Sequence, residues 1–275
     1  MMNSCLVEYF RKIDILFLEL DKLAPENDVK NRSIRNEFAG LMVISLAANY
    51  ENCVKTILIN YADLFHDKFS HQVERKYSYL NSRIKYETLK EYLSHFDGDL
   101  FNFENKVSKY SIKLKNEINK TYDQILTWRH SYAHANSVIT SLTDAYKAHR
   151  YAKYILYSFE DSLLGHAKRD SVRLINIFNR NSSFAFDAIE SNYEKIKDRI
   201  NNETNLIAQK DEANYLLATA RKFKTICEEA QQKANECSIN ILPSILNQAQ
   251  NAATECQKAS KAFSALKNGL CQAAT

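Results

Sequence analysis

FAGLMVISLAANYENCVKTILINY, residues 38–61, is the stretch that decides the fold. Phe38, Leu41, Met42, Ser45, Leu46, Tyr50, Cys53, Val54, Ile57, Leu58 and Tyr61 recur in it at three- and four-residue steps. That period places them on one stripe of an α-helix, because successive residues advance by 100° and a strand would need alternation instead. The stripe is flanked by small residues, which marks the central helix of a bundle, running from about Asp28 to Leu64. One acid, Glu51, stands in its middle. The longest uncharged apolar part, Gly40 to Ala48, is too short to cross a bilayer.

Working outward, Leu6, Phe10, Ile13, Leu16, Phe17, Leu20 and Leu23 give residues 4–24 the same helical period. Pro25 stops that helix, since the residue before a proline is pushed out of the α region. Residues 65–100 are more polar, with a short helical piece from Tyr86 to Phe96. His95-Phe96-Asp97-Gly98-Asp99 predicts a turn with Gly98 in the left-handed conformation. A lysine-rich helix is expected over 100–128. After it, RHSYAHANS (Arg129 to Ser137) is expected to head another long helix that carries Leu142, Ala145, Ala152, Ile155, Phe159 and Leu163 inward, with Gly165 as its cap. Residues 166–275 turn rich in Ala, Asn and Gln. They predict about three more helices, near 170–200, 203–237 and 239–268, as hairpins or a coiled-coil-like arm.

The whole chain of 275 residues contains only 4 Gly and 2 Pro, too few for the turns of a sheet-rich fold. The expectation is therefore an all-α protein of two parts, a helical bundle over 1–165 and a helical extension over 166–275. Six cysteines without CxxC pairing fit neither a secreted disulfide scaffold nor a zinc site. With early charges at Glu8, Arg11 and Lys12 and no long apolar run, the expected location is the cytoplasm, with no membrane partner. A formal charge of +4 does not by itself call for nucleic acid.

Local chemistry is more informative than the totals. Arg129 and His134 form a close Arg–His pair set at the head of an expected long helix. A guanidinium is always charged and matches phosphate oxygens with a planar fork of donors. An imidazole can take or give a proton near neutrality. RNA brings its own nucleophile, the 2′-OH next to the scissile phosphate, so a base and a cation suffice to cleave it without metal or cofactor. In an ideal helix, however, five residues turn about 500°, leaving the two side chains about 140° apart. They share one pocket only if the segment loosens near 131–136 or if two copies face each other.

On these residues the chain resembles the HEPN superfamily, in its RiboL-PSP and related stand-alone branches. Arg129 and His134 match the Arg-x(4–6)-His motif of those helical bundles. His130 takes the polar place after the arginine, where asparagine is usual, and Glu51 is similar to the acid on the earlier long helix. The resemblance covers about residues 1–165. It implies a homodimer with both motifs in one cleft, metal-independent cleavage of RNA, and use in toxin–antitoxin or anti-phage defence systems, with an antitoxin or defence-system protein as partner. His130, Ser131 and Tyr132 would line the cleft and Glu51 would orient Arg129, while Ser131, Tyr132 and Asn136 either hydrogen-bond a phosphate or cap the following helix.

Each residue also has a plainer reading. Arg129 is otherwise a surface arginine near a helix end, and His134 a satisfied half-buried histidine. His130 and His134, four apart, have a chelating spacing but lack an evident third ligand. Glu51 is either a buried acid or a solvated one. Lys106, Lys109, Lys113 and Lys120 make either a phosphate-tracking RNA-binding surface or a solvated helix face. The rival to the enzyme is a non-catalytic helical module that binds a protein or nucleic-acid partner.

Overall fold

The computed structural model describes residues 4–27, 29–65, 67–78, 80, 83–135, 139–203, 206–237 and 239–272. Among these no strand occurs, and the protein is all-α. The chain divides into two compact units, Met1–Ala167 and Lys168–Thr275.

In the first unit the helices are α1 (Val7–Leu23), α2 (Arg32–Asp63), α3 (Asp67–Tyr77), α4 (Tyr86–His95), α5 (Leu100–Leu114), α6 (Ile118–Ala135) and α7 (Leu142–Glu160). Helix α2 is the axis of the bundle, packed against α1, α3, α6 and α7. Most of its predicted stripe is its buried face: Met42, Leu46, Tyr50, Cys53, Val54, Ile57 and Leu58 are all sealed from solvent, whereas Leu41, expected with them, is exposed. Polar groups within this core are mostly paired. Asn49 donates to the Tyr9 carbonyl at 2.9 Å, and the Tyr50 hydroxyl lies 3.0 Å from Nδ1 of the buried His149.

Four local expectations are corrected. The lysine-rich helix does not run through 100–128. Lys115 adopts φ 50, ψ 43, and the Asn116 N–H bonds back to the Ser111 carbonyl, a left-handed helix stop made without glycine. A new helix, α6, then begins at Ile118, and the Arg-x4-His motif falls in its last two turns, so it ends one helix and does not head the next. At the 95–99 turn the left-handed residue is Asp97, with φ 52, and Gly98 is not left-handed. Glycine relieves crowding there, because a Cβ would stand 2.7 Å from Leu93 Cδ2 and 3.0 Å from Leu163 Cδ2. Finally, Gly165 caps nothing. It closes a π-helical turn, Asp161–Gly165, whose Ser162 carbonyl accepts the Asp99 N–H at 2.9 Å, and the backbone continues helically into α8.

The second unit consists of α8 (His166–Asn202, its first two residues counted with the first unit), α9 (Ile207–Glu236) and α10 (Leu242–Gln272). Small residues let α9 and α10 approach closely. Ala213, Ala220, Cys227, Ala230 and Ala234 face Ala249, Ala252, Ala253, Cys256 and Ala259, all buried. Helix α8 lays the bulkier Ile175, Phe186, Ile189, Ile196 and Ile200 onto this pair.

Candidate functional site

Arg129, His130, Ser131, Tyr132 and His134 all belong to α6, which stays α-helical through Ala135. Asn136 lies outside the described residues. The segment 131–135 does not loosen, so in one chain Arg129 and His134 point about 140° apart around the helix. Arg129 is half-buried and His134 exposed. Among the described residues neither forms a hydrogen bond or an ion pair. His134 rests instead against His130 one turn earlier, their ring centroids 4.3 Å apart at 55°. A cation and an imidazole left unengaged at the end of a well-packed helix are available for a ligand.

Two contacts fix how α2 passes the motif. The Tyr50 and Tyr122 rings stack at 5.3 Å, and a Cβ on Gly40 would stand only 2.2 Å from the Tyr132 ring. Each pair of residue numbers adds to the same total, so the helices are antiparallel with constant register. By that register Arg129 is level with Val43 and His134 with Phe38. Glu51 is level with Thr121, eight residues below Arg129, or about 12 Å along the axis. That is farther than an arginine side chain reaches. Burial pushes the Tyr122 phenol well up, and Tyr50, Cys53, Asp123 and, least of all, Glu51 add to it.

The acid beside the motif is Glu37. Its Oε2 accepts the Tyr132 hydroxyl at 3.2 Å. Partial burial and this carboxylate push the Tyr132 phenol up, keeping it a proton donor at neutral pH. Sequence reading missed Glu37 because it precedes the apolar run. No sequence signal marks it, because its nearness to the motif depends on Gly40 meeting Tyr132 across the fold.

Nearby, Arg35 gathers the ends of three helices. It lies 2.7 Å from Asp21 and 3.5 Å from Glu26, and donates to the Ala24 carbonyl and, at 2.8 Å, to Thr143 Oγ1. With its charge neutralised by two acids, Arg35 holds the scaffold and leaves Arg129 as the uncompensated guanidinium in α6.

The four candidate RNA-binding lysines separate into two kinds. Lys106 is tied to Asp161 at 2.6 Å and Lys120 to Glu117 at 2.8 Å. Lys109 and Lys113 are exposed and, among the described residues, unpaired. They stand in one i, i+4 row with Asn105 and with Phe101, whose side chain is 77% exposed. The row borders a surface groove of about 480 Å³ that also includes Tyr110. No helix among the described residues is long and apolar enough to cross a membrane.

The family model described as RiboL-PSP-HEPN matches residues 8–165, which include the motif and nearly all of the first unit. No curated protein and no solved structure gives a match.

Proposed function

The chain belongs to the RiboL-PSP-HEPN family, and from that premise we propose that it is a metal-independent endoribonuclease. A HEPN domain is a ribonuclease-like or nucleotide-binding module, and the observation that favours the first is the unengaged Arg129 and His134 on the last two turns of α6. In this reading His134 takes the proton of a ribose 2′-OH. The 2′-oxygen attacks the adjacent phosphorus, and the bond to the 5′-oxygen breaks. The imidazolium just formed supplies the proton for that leaving oxygen. Arg129 stabilises the extra negative charge on the phosphorane oxygens. The products are a 2′,3′-cyclic phosphate and a 5′-hydroxyl, and DNA is inert because it lacks the nucleophile.

The 140° divergence within one helix gives the enzyme its quaternary requirement. Two copies with their α6 ends opposed would bring Arg129 of one near His134 of the other, making a homodimer the active species. His130, Ser131 and Tyr132 would line the cleft, with Glu37 holding Tyr132 in place. Phe101, Lys109 and Lys113 would guide RNA along α5, bases stacking on the ring and phosphates following the ammonium groups. A cleft of this kind suits a toxin or anti-phage effector restrained by an antitoxin or defence-system protein.

The test is cleavage of total and structured RNA in excess EDTA by the wild type and by Arg129→Ala and His134→Ala. Losing the cation should cost about 10²–10³-fold and losing the base about 10²–10⁴-fold, in folded protein. Equal cleavage by all three would remove the site. RNA binding without cleavage by any of them would favour the helical binding module, a reading supported by the same divergence of the two side chains.

A further inference from the structure

Helix α8 carries a second apolar stripe that its own unit does not cover. Leu174, Ile177, Asn181, Phe184 and Ala188 recur at alternating three- and four-residue steps, about 100° round the helix from the core positions Ile175, Ser182 and Ile189. Leu174 is 37% exposed, Ile177 41% and Phe184 66%. Patches of this size occur on monomers. What distinguishes this one is the charge beside it. Arg173, Arg180, Asp187 and Glu194 follow one another every seven residues along the same edge, all exposed.

The heptad phase makes the stripe positions a and d, and the charged edge position g. In a parallel pair the g residues face e positions five residues on: Phe178, Ala185 and Asn192 carry no charge, and Arg199, opposite Glu194, is already held within its own chain by Glu203 and the Leu270 carbonyl. In an antiparallel pair g faces g. Aligning Asn181 of one helix with Phe184 of the other, and Ile177 with Ala188, then sets Arg180 against Asp187 and Arg173 against Glu194. Two-fold symmetry repeats each match, giving four attractive contacts and no repulsive one. Within their own chain Arg173 and Glu194 make only exposed contacts, to Asp170 at 3.7 Å and Lys197 at 3.4 Å. Arg180 and Asp187 have no ionic partner among the described residues.

We propose that the outer face of α8 is a self-complementary, antiparallel seam through which the C-terminal units of two copies of this chain associate. The occupant is a second copy because all four charges of the edge are matched by the same edge on an antiparallel copy. The seam is independent of the catalytic reading, lying wholly outside Arg129, His134 and the matched residues.

The experiment is a charge swap in the full-length chain, read by sedimentation equilibrium at about 0.15 M salt, with circular dichroism to verify folding. Asp187→Arg places an arginine against Arg180, and Arg180→Asp places two acids together. Each should weaken self-association by at least about tenfold. Combining both substitutions in one chain restores attraction with reversed sign and should return wild-type association. The proposal is overturned if the wild type stays monomeric up to about 100 μM, if either single reversal associates like wild type, or if the double swap fails to recover. Repeating the series on Arg129→Ala/His134→Ala should give the same pattern, so loss of RNA cleavage and loss of the seam are separately visible.

Discussion

Gly40 and His149 show how single residues shape this bundle. Gly40 is the point at which α2 lets the motif helix approach, since a Cβ there would overlap the Tyr132 ring at 2.2 Å. Gly40→Ala should therefore destabilise the protein by about 1–3 kcal/mol despite the better helix propensity of alanine. Adding Tyr132→Ala should recover part of that loss, and urea unfolding of the three variants measures the coupling. Additive losses would mean the two residues do not touch. His149 is buried, its Nδ1 against the Tyr50 hydroxyl and its Nε2 without a partner, and burial pulls its pKa down from 6.5 to about 3. The folded protein keeps this imidazole neutral, whereas the unfolded chain protonates it as pH falls below about 6.5. The stability His149 lends is thus complete above that pH and lost as pH falls from about 6.5 toward 3, by up to about 1.4 kcal/mol per pH unit. Chemical denaturation at pH 7, 6 and 5 should show the decline, and Tyr50→Phe/His149→Phe should flatten it. An equal slope in the double variant would assign the acid sensitivity elsewhere.

At the scale of whole elements, the stop between α5 and α6 decides where the motif sits. Lys115 holds a left-handed backbone that costs an L-residue with a Cβ about 1 kcal/mol and glycine almost nothing. Lys115→Gly should accordingly raise stability by about 0.5–1 kcal/mol without moving the helices, and a fall in melting temperature would contradict that geometry. This stop was illegible in the sequence because Lys-Asn-Glu carries none of the glycine or proline that usually announces one. The same silence hid the true place of Arg129 and His134 at the end of α6. Helix α2 was legible because a long stripe of large apolar residues admits one period. The three helices of the second unit were legible for the same reason, through alanine in place of leucine. The pairing of α2 with α6 was not, since register depends on Gly40 meeting Tyr132, two residues far apart in the chain. Hence the acid on α2 could be expected, but choosing Glu37 over Glu51 required the fold.

For the molecule as a whole, the geometry of α6 makes a demand that one chain does not meet. Arg129 and His134 diverge by about 140° on a continuous helix, while phosphoryl chemistry needs a cation and a base around a single phosphate. A cleft built from two copies, with Arg129 from one and His134 from the other, resolves the conflict and predicts complementation. On the proposed reading, Arg129→Ala and His134→Ala chains should each lose most of their cleavage as homodimers. In a dimer of one with the other, the surviving Arg129 and the surviving His134 lie on opposite chains and form one of the cleft's two Arg–His pairs. After equal mixing and exchange, half of the dimers are mixed and half of their Arg–His pairs intact, so about a quarter of wild-type cleavage should return if the pairs work independently. Activity should rise with the time allowed for exchange and vanish when the two variants are kept apart. Mixtures that stay inactive, although mixed dimers are detected by mass, would place the chemistry within a single chain and require α6 to unwind before the reaction.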